Sequence, residues 1–598
     1  MRRLLFSCCL SVFLLSSLIS LAQQKPAEPE YEIRIELNSR VPMRDAIHLS
    51  ADVYKPKADG RFPVILVMTP YDNASEWPVS VAKYFVPRGY VVVLVDVRGS
   101  FDSEGEVYMY NFHGPDVYDT DKWIVAQPWS DGKIGTIGGS SLGYVQWVGA
   151  VTNPPGLACM VPLVSPDDHY DNVFPSGAFQ LSNSLSLLLS NGGQPVLGRT
   201  LTDAGIYNWE RIYRHLPLKT TDEVLTGGKS RFYQDWIAHP TNDEYWRFGP
   251  GDRLGPAKMG PGQYDKVNVP TLNISGWYDQ VSQATINNYL GMTEFGPPRL
   301  RNQHKLIMGP WPHGFPTTES TKAGPLDFGP SSGLDSMKTA LRWFDQCLKG
   351  RDTGVTREPP VQIFVMGENV WRNESEWPLK RTQYTKHFLR STGPANSLFG
   401  KGTLSTSSPG NEQPDRYTYN PDDPVPTLGG NASMRPSTRG AVDQRSVQVR
   451  YDVLVYTSDS LAEAVEVTGP IQVVLYAASS ARDTDFTGKL FDVYPNGQAV
   501  ILTEGIVRAR LRNSFKKEEL ITPGKIYQYT IDLWSTSNVF KKGHRIGVEI
   551  SSSNFPKYDR NPNTGHPFGQ DAELRPADQT IYHDAQRPSH VLLPVIPR

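Results

Sequence analysis

The chain of 598 residues is poor in cysteine and has no large excess of either charge. Two of its four cysteines, Cys8 and Cys9, lie close to the N-terminus, and the distant pair Cys159 and Cys347 does not predict a disulfide framework. We interpret that pair as small apolar residues of the core. The 60 lysines and arginines are balanced by 62 aspartates and glutamates, so the composition gives no indication of nucleic-acid binding.

Several signatures of metal and cofactor sites are also missing. The chain contains no His-x-x-x-His, no Cys-x-x-Cys and no Gly-x-Gly-x-x-Gly after a predicted strand. We therefore expect neither a metal nor a cofactor. Beyond the N-terminus, no segment is long and apolar enough to predict a membrane span.

The N-terminus has the pattern of an export signal. Two arginines precede an uncharged apolar run that ends near Leu21, and the small residue Ala22 comes before a polar stretch. This order predicts a signal peptide over residues 1–22, and hence a secreted or periplasmic protein with no membrane attachment after cleavage. An uncleaved anchor is the alternative, because the run is near the ~18 residues at which apolar segments span a bilayer.

Glycine and proline are abundant, at 51 and 49 residues, and they separate many short apolar segments. A chain of this length holds more than one core. Up to residue 352, buried apolar runs alternate with helical stretches, which predicts an α/β domain with a mostly parallel sheet. The predicted parts are an α/β domain over residues 31–165 and 266–352, a helical cap inserted over residues 166–265, and an all-β, jelly-roll-like domain over residues 358–598.

Within that last domain we predict strands at 361–366, 447–456, 471–476, 490–494, 506–510, 527–533 and 544–551. A long connecting segment is expected from about residue 390 to residue 431.

Residues 132–147 contain the segment around which the α/β domain is organised. A short apolar run leads into Gly138-Gly139-Ser140-Ser141-Leu142-Gly143, and a helical pattern follows. The spacing Gly139-x-Ser141-x-Gly143 is that of a nucleophile elbow, in which a serine is held on a strained turn between strand and helix. It predicts Ser141 as the nucleophile. Ser140 is the rival hydroxyl, but it lacks a glycine two residues after it.

Other chemically useful side chains follow predicted strands of the same sheet. Ligands of open parallel sheets bind beyond the carboxyl ends of the strands, and Tyr71, Ser141, Asp279 and His313 each come directly after a strand. His304 begins its strand instead, which places it at the opposite edge. The chain order serine, aspartate, histidine is that of α/β-hydrolases.

Acyl transfer assigns a role to each of these groups. His313 would take the proton of the serine as it attacks a carbonyl, and Asp279 would hold the imidazole in the correct tautomer. The main-chain N–H of Leu142 and the phenol of Tyr71 would stabilise the oxyanion.

Structural interpretations compete with these roles. Aspartates at strand ends often cap helices, a histidine in a loop is usually structural, and Tyr71 beside Pro70 could simply cover the core. Trp277, Tyr278 and Trp311 flank the acid and base and could form the wall of an acyl pocket, although core packing explains them equally well. Asp96, Arg98 and Asp102 are interpreted as a structurally paired, charged turn.

The chain resembles a family of serine hydrolases that includes bacterial cocaine esterase, glutaryl cephalosporin acylase, α-amino-acid ester hydrolase and the X-prolyl dipeptidyl peptidases. The resemblance spans nearly the whole mature chain. It is carried by Thr69-Pro70-Tyr71, Asp96-Val97-Arg98-Gly99, Asp102-Ser103-Glu104-Gly105, residues 126–133, the elbow, Gly276-Trp277-Tyr278-Asp279, residues 309–313, Asp485-Phe486-Thr487 and residues 551–556.

This resemblance implies an α/β-hydrolase domain, a helical cap and a jelly-roll domain. It also implies Ser141, Asp279 and His313 as triad, with Tyr71 and the Leu142 N–H as oxyanion hole. The α-amino-acid ester hydrolases carry a glutamate and an aspartate two and three residues after the triad aspartate, where this chain has Val281 and Ser282. The departure disfavours substrates with a free α-amine.

The sequence therefore predicts an exported serine hydrolase that cleaves a small ester or amide through an acyl-enzyme. X-prolyl dipeptidyl peptidase and α-amino-acid ester hydrolase or acylase activity are the enzymatic alternatives. A glycan-binding, degenerate hydrolase is the non-enzymatic one. The acyl and leaving-group preferences are left open, as is assembly into a homo-oligomer.

Overall fold

The structure is a computed structural model that describes residues 28–109, 113–191, 207–248, 259–432 and 438–597. The predicted signal peptide, with Cys8 and Cys9, lies outside these residues. Within them, no helix combines the length and the apolar composition that crossing a membrane requires.

A ten-stranded sheet forms the α/β domain, in the order β1-β2-β4-β3-β5-β6-β7-β8-β11-β12. From β4 to β11 in this order, neighbouring strands are parallel. The strands are β1 Ile33–Pro42, β2 His48–Pro56, β3 Phe62–Thr69, β4 Val91–Asp96, β5 Ser130–Gly139, β6 Leu157–Leu163, β7 Leu272–Tyr278, β8 Lys305–Pro312, β11 Val361–Val365 and β12 Val370–Glu374; the short strands β9 Lys322–Ala323 and β10 Leu326–Asp327 pair with each other.

Helices cover both faces of this sheet because its strands are apolar on both sides. Ile65 and Val67 of β3 belong to one core, and Val64 and Leu66 belong to the other. This arrangement is typical of a parallel sheet between two helical layers. The helices of this domain are α1 Glu76–Phe85, α2 His113–Val125, α3 Ser141–Ala150, α11 Ser282–Glu294 and α12 Ser336–Lys349.

Short helices between β6 and β7 form the cap, as the broken amphipathic pattern predicts. Their aromatic and leucine side chains make a separate core that includes Phe179, Tyr233 and Trp236. The helices are α4 His169–Val173, α5 Leu181–Asn191, α6 Trp209–Tyr213, α7 Thr221–Thr226, α8 Arg231–Ala238, α9 Tyr245–Phe248 and α10 Pro261–Tyr264. Short 3-10 helices occur at Val86–Arg88, Pro175–Gly177, Leu218–Thr220, Pro330–Ser332, Val355–Arg357 and Ala509–Leu511.

The C-terminal part is a twelve-stranded β domain, in the order β15-β22-β17-β24-β13-β14-β16-β21-β18-β19, with β20 beside β17 and β23 beside β22. One short helix, α13 Arg445–Gln448, lies among the described residues of this part. The strands are β13 Gln383–Ser391, β14 Gly402–Ser405, β15 Asp415–Tyr419, β16 Leu454–Thr457, β17 Val465–Ser479, β18 Asp485–Val493, β19 Ala499–Arg508, β20 Tyr527–Phe540, β21 Arg545–Ser551, β22 Ala577–Asp584, β23 Arg587–Pro588 and β24 His590–Ile596.

The predicted fold class is confirmed: an α/β-hydrolase domain with a helical cap precedes a β domain. Three local predictions are wrong. The strand predicted at 361–366 pairs with β8 and so extends the α/β sheet, because an apolar run does not reveal which sheet it joins. The strand predicted from residue 447 begins as helix α13, and the predicted connecting segment contains β14 and β15.

Candidate active site

The sharp turn between β5 and α3 is centred on Ser140. Strand β5 ends at Gly139 and helix α3 begins at Ser141, so Ser140 alone makes the change of direction. Its backbone has φ 59° and ψ −125°, a conformation that costs free energy in any residue other than glycine. The Ser140 N–H fixes this geometry by donating to the carbonyl oxygens of Leu163 and Val164, each at 3.1 Å. Ser140 is partly exposed.

The prediction that Ser141 occupies the elbow is therefore contradicted. Ser141 is the first helical residue of α3 and is 1% exposed, so its hydroxyl lies beneath the turn. The strained, accessible serine that the elbow requires is Ser140. The N–H that directly follows it is that of Ser141, not that of Leu142 as predicted.

Gly139 and Gly143, whose spacing predicts Ser141 as the nucleophile, have a packing role instead. A Cβ on Gly139 would come within 2.5 Å of the Phe315 ring, and one on Gly143 within 2.8 Å of the Ser165 Cβ. Both positions thus exclude side chains because neighbouring segments approach closely, whichever serine is strained.

Tyr71 lies directly beside the turn, as predicted. Its phenol oxygen is 2.7 Å from the Ser141 Oγ and also lies within hydrogen-bonding reach of the Ser140 side chain. Burial raises the pKa of the Tyr71 phenol, and the hydrogen bonds to the two serines offset part of that rise. The phenol is therefore protonated and able to donate at neutral pH.

A buried carboxyl holds the loop that carries Tyr71. The Asp96 Oδ1 accepts from the Asn73 N–H at 2.8 Å, and burial raises the pKa of Asp96 to about 7. The charged turn is structural, but its pairing differs from the prediction. Arg98 forms ion pairs with Asp116 and Asp45 rather than with Asp96 or Asp102.

Asp279 and His313 form a hydrogen-bonded pair at the carboxyl ends of β7 and β8. The distance between Asp279 Oδ1 and His313 Nδ1 is 2.8 Å. Asp279 is fully buried, and it also accepts from the Val281 N–H at 2.8 Å and from the Ser275 hydroxyl at 3.1 Å. These bonds fix the carboxylate and hence the edge of the imidazole that it contacts, so Nε2 points away from Asp279.

The His313 segment packs against the elbow through Phe315, whose ring contacts Gly139. Among the described residues, no hydrogen bond joins His313 to Ser140 or Ser141; the histidine bonds to Asp279, and the Ser141 hydroxyl bonds to Tyr71. Hydrogen bonds of this kind are often long before substrate binds and shorten in the complex. The arrangement brings a strained serine, an imidazole–carboxylate pair and a phenol to one edge of the sheet.

The three aromatic residues predicted as pocket walls have structural roles instead. The Trp277 indole donates to the Phe364 carbonyl at 2.8 Å, the Tyr278 phenol to Ile501 at 3.0 Å and the Trp311 indole to Ser332 at 2.9 Å. All three are at most 3% exposed, and they pack in the cores that join the sheet to its surroundings.

Three residues that the sequence did not indicate lie at the site. Trp77 and Phe315 are partly exposed and stack at 4.0 Å between ring centroids, and Phe315 contacts the elbow. Arg439 of the β domain donates to the His313 carbonyl at 3.3 Å, and burial lowers the pKa of its guanidinium. Phe315 lies two residues after His313, so the sequence does contain a signal that places it near the site. No pattern marked Arg439, which lies 126 residues away along the chain.

A cavity of about 360 Å³ lies between the cap, the residues after Asp279 and the β domain. Gln280 and Val281 form one side, and Phe515 and Trp534 form another. The carboxylates in its lining belong to Asp167, Asp168, Asp171 and Asp532.

Away from the elbow, the part of the chain that the structure describes contains one group of side chains that could hold a metal ion. The potential ligand atoms of His566, Asp571 and Glu573 lie within 4.8 Å of one another in the β domain. His566 Nδ1 and Asp571 Oδ2 are 3.0 Å apart and hydrogen-bonded. This mostly exposed group shares no residue with the site at the elbow.

Comparison with known proteins extends the similarity over both domains. Residues 45–315 match the family described as X-Pro dipeptidyl-peptidase (S15 family), and residues 353–592 match its C-terminal non-catalytic domain. A cocaine esterase of Rhodococcus sp. (strain MB1 Bresler) is 38% identical over 582 residues, which cover 94% of this chain and 98% of that protein.

Two solved structures have a similar fold over nearly the whole chain. An α-amino acid ester hydrolase superposes with a TM-score of 0.77 at 26% identity, and the match covers 98% of this chain and 100% of the other. An aminopeptidase from a marine sediment archaeon (Thaumarchaeota archaeon) gives a TM-score of 0.73 at 25% identity, with 95% and 97% coverage.

Proposed function

Because this chain belongs to the S15 family of serine hydrolases, in which a cocaine esterase is among its relatives, we propose that it hydrolyses small acyl esters through an acyl-enzyme on Ser140. The observation that carries this assignment is the backbone of Ser140. It is a partly exposed serine held at φ 59° between a strand and a helix, with a protonated phenol in reach.

In the proposed reaction, the Ser140 hydroxyl attacks the ester carbonyl and passes its proton to Nε2 of His313. Asp279, bonded to Nδ1, stabilises the imidazolium that forms. The oxyanion of the tetrahedral intermediate accepts from the Ser141 N–H and from the Tyr71 phenol. That N–H lies in the first turn of α3, where main-chain N–H groups have no acceptor within the helix.

Collapse of this intermediate expels the alcohol, which takes its proton from His313, and leaves the acyl group on Ser140. Water then attacks the acyl-enzyme with His313 as base, and the acid is released. The pair Trp77 and Phe315 would line the acyl side of the site, since it is partly exposed and contacts the elbow.

Export is a separate part of the proposal. It is supported by the arginine-led apolar run that ends before Ala22. Expression of the full chain in a bacterium, followed by N-terminal sequencing of the periplasmic or secreted protein, should give a chain that begins at Gln23. An uncleaved product in the membrane fraction would contradict it.

A substrate panel tests the proposed activity. The panel contains p-nitrophenyl esters of increasing acyl length, the same esters with a terminal amine, and X-Pro p-nitroanilides. We expect turnover of the esters by wild type and none above background by Ser140→Ala. Comparing each ester with its amine-bearing counterpart shows whether the carboxylates that line the neighbouring cavity affect the turnover of a cationic substrate. Faster cleavage of the X-Pro anilides than of any ester would replace the esterase assignment with a peptidase one.

A further inference from the structure

The hydroxyl of Ser141 has no role in the reaction described above, although it lies beside the reacting groups. Its Oγ is 2.7 Å from the Tyr71 phenol oxygen, and among the described residues it has no other hydrogen-bond partner. The side chain is 1% exposed, so water does not compete for this bond. The main-chain N–H of Ser141 is a separate donor that any substitution except proline keeps.

The phenol of Tyr71 has a single proton to share between its neighbours. It lies within reach of both the Ser141 and the Ser140 hydroxyls, so it can donate to one and accept from the other. When the phenol donates to an oxyanion formed at Ser140, its oxygen is left to accept. Ser141 Oγ is the hydroxyl at hydrogen-bond distance that can then donate to it.

We propose that Ser141 is a positioning residue, whose hydroxyl orients the proton of Tyr71 toward the developing oxyanion. The chain of bonds runs from Ser141 Oγ–H to the phenol oxygen and from the phenol O–H to the oxyanion, and each bond polarises the next. This role rests on the proposed function, and in particular on Ser140 as the nucleophile.

A double-mutant cycle tests the proposal with wild type, Ser141→Ala, Tyr71→Phe and the double variant, assayed on a short p-nitrophenyl ester. Tyr71→Phe should lower kcat by roughly 10²–10³, as expected for loss of an oxyanion donor. Ser141→Ala should lower kcat by about fivefold to tenfold, with KM changed by less than about twofold, because one hydrogen bond is lost. In the Tyr71→Phe background, the same change should cost less than about twofold, since the hydroxyl acts through the phenol. Ser141→Thr keeps a hydroxyl and should recover most of the activity.

Two results would overturn the proposal: an unchanged kcat in Ser141→Ala, or an equal loss in both backgrounds, which would indicate a general packing effect. Labelling with a fluorophosphonate separates these from failure of the proposed function. Ser141→Ala should still be labelled at Ser140. If instead Ser141→Ala loses labelling while Ser140→Ala retains it, the nucleophile itself is wrongly assigned and the positioning role falls with it.

Discussion

At Asp279, a single substitution can remove the charge of the side chain without changing its shape. Its Oδ1 contacts the imidazole, and both carboxylate oxygens have protein donors. Asp279→Asn keeps the shape but removes the charge and favours the wrong tautomer of His313. We expect kcat to fall by about four orders of magnitude. Steady-state kinetics measures kcat, and circular dichroism shows whether the variant is folded. A fall in kcat of less than about tenfold in a folded variant would exclude the proposed role.

Asp121 of α2 makes a prediction about stability. It is fully buried, neither of its carboxyl oxygens has a hydrogen-bond partner among the residues that the structure describes, and burial raises its pKa well above the usual value. Asp121→Leu should therefore raise the free energy of unfolding by roughly 1–3 kcal/mol at neutral pH. The measurement is urea unfolding of variant and wild type.

The pH dependence of this effect has a definite sign. The folded-state pKa of Asp121 lies above the unfolded value of about 4, so the part of its cost that comes from ionisation in the unfolded state is absent below that pH and grows as the pH rises toward 7. The advantage of Asp121→Leu should be larger at pH 7 than at pH 4. Asp59→Leu, on an exposed loop, serves as control and should change stability by at most about 0.5 kcal/mol at both pH values. If the difference in unfolding free energy between Asp121→Leu and wild type is smaller at pH 7 than at pH 4, this explanation is wrong.

The identity of the reacting serine shows what residue spacing cannot supply. Two serines adjoin in Gly138-Gly139-Ser140-Ser141-Leu142-Gly143, and glycine spacing favours the second. The strain falls on the residue between the last of β5 and the first of α3, and that boundary depends on main-chain bonds from Ser140 to the following strand. Asp279 and His313 were placed correctly at their strand ends, because the ends of parallel strands meet at one edge of the sheet.

At the scale of elements, the turn is supported from below by Gln146 of α3. The nitrogen of its buried amide lies 3.1–3.4 Å from the carbonyl oxygens of Gly138, Leu142 and Val161, which share its two N–H donors, and the amide oxygen accepts from the Thr136 hydroxyl. Gln146→Leu removes these side-chain bonds and deprives the buried Thr136 hydroxyl of this acceptor, so we expect a loss of roughly 1–3 kcal/mol in unfolding free energy, together with a lower kcat. Thermal unfolding and ester turnover measure the two effects.

Gln127, two residues after the last residue of α2, supplies the matched control. Its amide also donates to a carbonyl, that of Trp123, but it lies near the surface, so Gln127→Leu should change stability by at most about 0.5 kcal/mol. Equal effects of the two substitutions would show that Gln146 does not support the turn.

The sequence predicts helices and strands correctly where a local pattern determines them. It fails where the outcome depends on which distant strand a segment pairs with. Alternation of apolar runs and helical stretches identified the parallel strands of the sheet. The same kind of run at Val361–Val365 was assigned to the wrong sheet, since its partner β8 lies some 50 residues earlier. The prediction for Trp277 and Trp311 fails for a related reason: a strand fixes which face a side chain occupies, but segments far along the chain, here those of Phe364 and Ser332, decide what covers it.

On the scale of the whole molecule, a buried ionic cluster joins the cap to the β domain. Arg508 bonds to Asp485 and Asp559 at 2.8–2.9 Å, and the Asp559 carboxylate accepts from the main-chain N–H of Phe179 in the cap. Arg508 is 3% exposed. Arg508→Met would leave two buried carboxylates without their cation, and we expect a loss of roughly 3–5 kcal/mol by thermal or urea unfolding.

The exposed ion pair of Arg575 and Glu573 is the comparison for this change. Arg575→Met should alter stability by less than about 1 kcal/mol, because solvent screens such pairs. If both substitutions cost the same, the cluster does not hold the cap and the β domain together.

The central claim, that Ser140 carries the acyl group, is tested most directly by mapping the site of covalent labelling. Wild type, Ser140→Ala and Ser141→Ala are treated with a fluorophosphonate, digested and sequenced by tandem mass spectrometry. We expect an adduct on Ser140 in wild type and in Ser141→Ala, and none in Ser140→Ala. An adduct on Ser141, or labelling that survives Ser140→Ala, would contradict it.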